Sequence, residues 1–187
     1  MIKKPSIRRG VTLVELMITL AVLAIALSLA APAMGRFLER QAVQGAVERF
    51  TGDIRFARSE ALKRGQAVSL CVAGATGANG PSCAARSGDR GFAGGWLVFA
   101  DFNANGQRDT GETVLREQEG LSTQVARLRD SGNQRFVTFQ STGVVHGGQG
   151  RIELTPGSAN APSVMLCMNA GGRIQARTYA ATGCTAG

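Results

Sequence analysis

The chain has 187 residues, of which 44% are hydrophobic and 18% charged, with 25 glycines that follow no Gly-X-Y period. This fits one globular domain with an appendage and excludes both a disordered chain and a collagen-like one. With one His, one Trp and one Tyr, it is poorly supplied for multi-histidine metal sites, aromatic cages or base-stacking platforms, and half of its net charge of +8 lies in residues 1–10, which hold four Lys/Arg and no acid.

Residues 11–30, VTLVELMITLAVLAIALSLA, contain a single ionisable group, Glu15. As a helix they span about 30 Å, the thickness of a bilayer core, so a transmembrane helix is predicted over 11–31. The apolar part of a secretory signal is shorter, about 7–15 residues. Lys3, Lys4, Arg8 and Arg9 precede the run; the positive-inside rule keeps that end in the cytoplasm and sends the rest across the inner membrane. Glu15 is costly there, about 2.5–3.5 kcal/mol at a bilayer centre and less near an end. Such a carboxylate either finds a partner or snorkels to the interface.

Pro32 interrupts the apolar run, and helical periodicity resumes after it, which predicts a kink rather than an end. Val43, Val47, Phe50, Ile54, Ala57 and Ala61 recur at steps of three and four, one stripe of an amphipathic stem over 32–64. The opposite side carries Arg40, Arg49, Arg55 and Arg58. Lys63 and Arg64 suit a helix C-terminus, and Gly65 suits the left-handed position after it.

From residue 65 to 187 the pattern changes to short β-type runs between Gly, Asn and Ser: 67–72, 96–100, 113–116, 135–140, 151–155, 164–168 and 173–178. Arg135-Phe136-Val137-Thr138-Phe139-Gln140 and Arg151-Ile152-Glu153-Leu154-Thr155 alternate polar with apolar, as antiparallel strands with one covered face do. The fold class is α+β: a long kinked N-terminal helix packed on a C-terminal antiparallel β-sheet domain. The segments 73–95 and 147–149 are expected as variable, Gly-rich loops.

The segment Arg9-Gly10-Val11-Thr12-Leu13-Val14-Glu15-Leu16 resembles the prepilin N-terminus of type IV pilins and type II secretion pseudopilins. Within that group the chain is most similar to the GspH/FimT type of minor pilin. That likeness is carried by Ala57-Arg58-Ser59-Glu60-Ala61-Leu62-Lys63-Arg64 leading into 68–71, and by Gly95-Trp96-Leu97-Val98-Phe99-Ala100-Asp101 running into Asn103-Ala104-Asn105-Gly106. The resemblance implies a type IV pilin-like fold and a leader, 1–10, that a prepilin peptidase removes after Gly10, methylating Val11. It also implies that Glu15 pairs with the N-terminal amine of a neighbouring subunit, so that other pilins or pseudopilins are the partners. Val11 stands where the family usually has Phe. The expected product is an inner-membrane, single-pass protein with a periplasmic β-rich domain over 65–187, assembled into a pilus or pseudopilus.

Cys71, Cys83, Cys167 and Cys184 allow three pairings, and an even count in an oxidising periplasm favours disulfides. Cys71–Cys83 and Cys167–Cys184 are the expected pairs; in pilins a C-terminal disulfide loop is a familiar surface feature. The loop 101–112 matches D-x-[DN]-x-[DN]-G-x5-E, with Asp101, Asn103, Asn105, Asp109 and Glu112 as candidate Ca²⁺ ligands. Its flanks are β-type rather than helical, and the same residues serve any tight hairpin turn. No other cofactor is expected.

Near the C-terminus a strand places Arg173, Gln175 and Arg177 on one face. Some competence-associated members of the family bind DNA through Gly-Arg-x-Arg there; here one more residue separates the arginines. Catalysis lacks parts. His146 stands alone in a Gly-rich turn, and neither a nucleophile elbow nor a phosphate-binding glycine loop occurs. A non-enzymatic subunit without a small-molecule substrate is expected.

Overall fold

In a computed structural model, the structure describes residues 10–85, 88–146, 150–178 and 184, with only the backbone at 29–33 and 178. The expected leader therefore lies, but for Gly10, outside the described residues, as do the side chain of Pro32 and the loop 147–149. Two compact units divide the chain, Met1–Leu38 and Glu39–Gly187.

Helix α1 runs over Leu13–Arg64. It starts at Thr12, whose Oγ1 accepts a hydrogen bond from the Glu15 N–H at 3.2 Å, while the Leu16 N–H donates to the Thr12 carbonyl. The first of these bonds satisfies an N–H group that a helix start leaves unpaired. It stops at Gly65, whose φ of 64° is strained for any residue with a Cβ, and whose N–H donates to the Ala61 carbonyl. In the first unit the apolar side chains of 11–28 are exposed. Among the described residues no helix is long and apolar enough to cross a membrane; the expected span, 11–31, runs into 29–33, whose side chains lie outside the description.

The second unit packs the C-terminal half of α1 against two antiparallel sheets. The first has the order β4-β3-β1-β6-β7, with β2 paired to β1. Its strands are β1 (Val68–Gly77), β2 (Gly80–Cys83), β3 (Gly95–Ala100), β4 (Val114–Glu119), β6 (Phe136–Phe139) and β7 (Val145–His146). The second has the order β10-β9-β8-β5, from β5 (Val125–Asp130), β8 (Gly150–Pro156), β9 (Val164–Met168) and β10 (Ile174–Thr178). Every residue of the predicted stripe, Val43, Val47, Phe50, Ile54, Ala57 and Ala61, is buried in one core with residues of both sheets, among them Trp96, Leu128, Phe139, Leu154 and Leu166. Each large side chain buried in this way contributes about 1.5–3 kcal/mol.

Three strands were not expected. Gly80–Cys83, within the segment read as a variable loop, pairs with the outer half of β1 and helps cover a small second cluster of Cys71, Leu97 and Phe99. The run VARLRD of β5 carries three charges in six residues, which hides its buried residues, Val125, Leu128 and Asp130. His146 belongs to the two-residue β7 rather than to a bare turn.

Polar contacts fix the helix to the sheets. The buried Asp53 accepts from the Trp96 Nε1–H at 2.9 Å and from Arg116 at 2.7 Å, and the Arg116 guanidinium lies 3.7 Å from the Phe56 ring centroid, a cation–π geometry. Glu39 accepts from the Ser158 N–H at 2.7 Å and its hydroxyl at 2.5 Å, tying the 157–161 turn to the helix. Arg58 donates to the Gly143 carbonyl at 3.1 Å.

Candidate functional site

The residues that the sequence singles out fall at three places. At the N-terminus Gly10 and Val11 are exposed, non-helical backbone immediately before α1, and Glu15 is exposed in its first turn. Thr12 and Glu15 form half of a capping box, with the threonine oxygen bound to the N–H three residues on. The Thr-x-x-Glu spacing carries that signal in the sequence. Beside the +0.5 charge equivalent of a helix start, a carboxylate such as that of Glu15 is favoured. Acid, exposed glycine and apolar surface thus lie within one short segment.

The loop 101–112 gathers its candidate Ca²⁺ ligands, but in an arrangement unlike a cation cage. The fully buried Asp101 accepts from the Ser69 hydroxyl at 2.6 Å, from the Gly106 N–H at 2.8 Å and from the Asn105 N–H at 3.2 Å. Glu112 accepts from the N–H groups of Phe102 and Asp109, both at 2.8 Å. Asp109 accepts from the side-chain amides of Asn103 and Asn105. Arg108 donates to the carbonyls of Asn79, Pro81 and Glu112. The carboxylate oxygens face N–H and O–H donors, and among the described residues no group of three or more His, Cys, Asp or Glu is placed to hold a metal ion. These side chains build a self-capped hairpin loop. Gly106, at φ 72°, has the Phe136 ring where a Cβ would project.

Cys71 and Cys83 are bonded, with Cα atoms 5.7 Å apart, and so are Cys167 and Cys184, at 5.5 Å. The first bond ties β2 to β1; the second ties residue 184 to β9.

At the C-terminal strand, Arg173, Gln175 and Arg177 are all exposed. Gln175 and Arg177 stand opposite Cys167 and Met165, on the face of the sheet turned away from the main core. The register carries this face across the sheet: Arg151 stands opposite Cys167 and Glu153 opposite Met165, while Arg129 stands opposite Glu153 and Arg127 opposite Thr155. Four strands therefore place Arg127, Arg129, Arg151 and Arg177 on one surface around the single acid Glu153, with Arg173 just before β10. Sequence reasoning found only the β10 arginines, because the others become neighbours through strand pairing. Between β10 and α1 lie two adjoining grooves of about 540 and 750 Å³. Arg55 lines both and Arg58 lines the second.

Two carboxylates of the second unit are perturbed. The Ser158 hydroxyl holds Glu39 below the usual carboxylate range, against the opposing push of burial, with the Ser158 N–H and Asn160 adding to the effect. Glu60 is lowered chiefly by its hydrogen bond from Arg64 at 2.6 Å.

The model of the family described as type II transport protein GspH matches residues 46–172, and that of the prokaryotic N-terminal methylation motif matches residues 6–31. The chain is 35% identical over 105 residues to the pilin-like protein PilA1 of Thermus thermophilus, a match covering 56% of each chain, so it spans little more than half the length of that curated relative. The fold is similar to that of the type IV minor pilin FimU of Pseudomonas aeruginosa in two crystal forms. The TM-scores are 0.58 and 0.54, at 19% and 18% identity, covering 80% and 76% of this chain and 99% of FimU in each form.

Proposed function

We propose, from the premise that this chain belongs to the type II transport protein GspH family of pilins and pseudopilins, that it is a non-enzymatic minor pilin subunit of a type IV pilus, acting in pilus assembly or initiation. In this reading a prepilin peptidase removes residues 1–10 and methylates Val11. The helix anchors the chain in the inner membrane through 11–31, with the β-rich domain in the periplasm. Assembly then transfers the apolar helix surface from lipid to neighbouring subunits. Burying such side chains away from water is strongly favourable in either place, so polar pairing rather than hydrophobicity must select the register. Glu15 supplies that pairing, its carboxylate meeting the new amine of an adjacent subunit at a site where leaving the charge unpaired is costly.

One observation carries this reading: a single helix whose last 26 residues bury one face in the core with the sheets while residues 11–28 expose apolar side chains and one acid. The test is Glu15→Val. The account predicts loss of the subunit from sheared filaments while the membrane-bound pool persists; incorporation at the wild-type level contradicts it.

The alternative machine is the type II secretion pseudopilus, favoured by the description of the matched family. A deletion scored for twitching, transformation and exoprotein secretion separates the two. A second activity, DNA binding through Arg173, Gln175 and Arg177, gains support from Arg127, Arg129 and Arg151 on the same face. Phosphate contacts of this kind give strongly salt-dependent affinity. An equal mobility shift after Arg173→Ala with Arg177→Ala removes those residues from any such activity.

A further inference from the structure

Val47, Thr51, Arg55, Arg58 and Leu62 follow one another along α1 at steps of three and four, so they form one row on the helix surface. This row faces β10 across the two adjoining grooves of about 540 and 750 Å³. Arg55, Ile174 and Gln175 line both grooves and join them into one elongated trough. From Val47 to Leu62 it follows the helix for about 22 Å, at about 1.5 Å per residue.

Positive charge dominates this trough. Arg55, Arg58 and Arg173 line its larger part, and among the described residues no acid does. The smaller part adds Arg177, and the acid there, Glu48, accepts from Gln44. Among the described residues the guanidinium groups of Arg55 and Arg173 have neither a hydrogen bond nor an ion pair, and Arg58 uses only its Nε–H, on the Gly143 carbonyl at 3.1 Å. Like charges gathered in one hollow repel each other and concentrate anions there. The rest of the lining is of another kind. Val47, Ile174 and the exposed Leu62 supply apolar surface. Thr51, 8% exposed, carries a hydroxyl with no hydrogen-bond partner, a condition that ordinarily costs stability. No aromatic side chain is among the described residues that line either part, so a nucleobase finds nothing to stack on.

We propose that the trough binds an extended acidic segment of a partner protein, one in which carboxylates alternate with apolar side chains. An extended chain advances about 3.3 Å per residue and turns alternate side chains to opposite sides, so about seven residues fill the length. One side then presents carboxylates to the arginines and the other covers Val47, Ile174 and Leu62. Arg173 and Arg177 are four strand positions apart, about 13 Å, and carboxylates four positions apart on the segment have the same separation. The segment also brings backbone N–H and C=O groups to the wall that holds Thr51. A nucleic-acid strand would meet the arginines equally well, but it leaves the apolar surface uncovered and gains no stacking. Such docking is independent of the pairing assigned to Glu15 and of which machine the chain serves.

The test is the fluorescence anisotropy of a fluorescein-labelled heptapeptide, Glu-Val-Glu-Val-Glu-Val-Glu, titrated with the full-length chain in non-ionic detergent. Saturable binding that weakens as salt rises is expected. Affinity falls about tenfold when the peptide carries Gln in place of Glu, and by a similar factor in Arg55→Glu with Arg173→Glu, an amount that two exposed ion pairs replaced by repulsion supply. That reversed variant instead prefers the corresponding Lys-Val peptide, which also shows that it is folded with its trough intact. Leu62→Ser lowers affinity for the alternating peptide about threefold and leaves that for heptaglutamate unchanged, because it removes only apolar surface. The proposal is overturned by the absence of saturable binding, by equal affinity in the reversed variant, or by heptaglutamate binding as tightly as the alternating peptide. Displacement of the peptide by an equal concentration of heptathymidylate overturns it in favour of a nucleic-acid strand.

Discussion

At the scale of single residues, the molecule spends its buried charges on joining elements. Asp53 joins helix to sheet through Trp96 and Arg116. Asp53→Ala strands the indole N–H in the core, and hydrogen bonds to charged groups are worth about 1.5–3 kcal/mol. A loss of about 2 kcal/mol is expected by denaturant unfolding in detergent, with Asp53→Asn recovering part of it. Asp101 does the same for the 101–112 loop, and Asp101→Ala is expected to cost about 3 kcal/mol, since it orphans three donors. That cost should be equal with and without a chelator, because the oxygens bind N–H and O–H groups. Glu39 sets a pH dependence whose sign follows from its lowered pKa. The native state holds it charged more firmly than the unfolded chain does. Its contribution is thus complete above the unfolded value, about 4.3, and is lost as pH falls through the folded value. The melting temperature of Glu39→Gln should therefore fall furthest below wild type at pH 7, with the gap closing below about pH 4.

At the scale of elements, the stem was legible because burial on one helix face leaves a 3.6-residue period that nothing else in the chain imitates. Phe50, Ile54, Ala57 and Ala61 are completely buried, and Gly65 ends the helix with the positive φ its position calls for. Ile54→Ala is accordingly expected to cost about 2–5 kcal/mol, against less than about 0.5 kcal/mol for the exposed Arg49→Ala, both read from thermal or denaturant unfolding. Strands with one covered face, such as β6 and β8, were legible for the equivalent reason at period two. What escaped was decided by pairing rather than by local pattern. The Gly-Pro-Ser-Cys run of β2 has the composition of a turn and is a strand because β1 and a disulfide hold it. In β5 Asp130 faces the core side because Gly132 and Gln134 donate to it, so its charge says nothing about its exposure. The arginine surface depends on strand order, which no single stretch of sequence encodes. The string of the 101–112 loop is ambiguous for a related reason: it lists oxygens, and only the fold decides which donors they face.

At the scale of the whole molecule, the two halves of α1 are different in kind. Residues 39–64 are committed to one core with both sheets, while residues 11–28 expose a run of Val, Leu, Ile and Met that a soluble protein would bury. Such a surface belongs in lipid or against other helices, and in the proposed reading Glu15 at its start distinguishes a filament subunit from a simple membrane anchor. Membership of a family of pilins and pseudopilins, the matched methylation motif at 6–31 and the FimU-like fold all agree with that division. The proposed assembly requires α1 to begin, in the mature protein, with a methylated amine beside that acid. Intact-mass and N-terminal peptide mass spectrometry of the protein from cells with an active prepilin peptidase tests this directly. The account predicts a chain that starts at N-methylated Val11, and a chain that still carries residues 1–10 contradicts it.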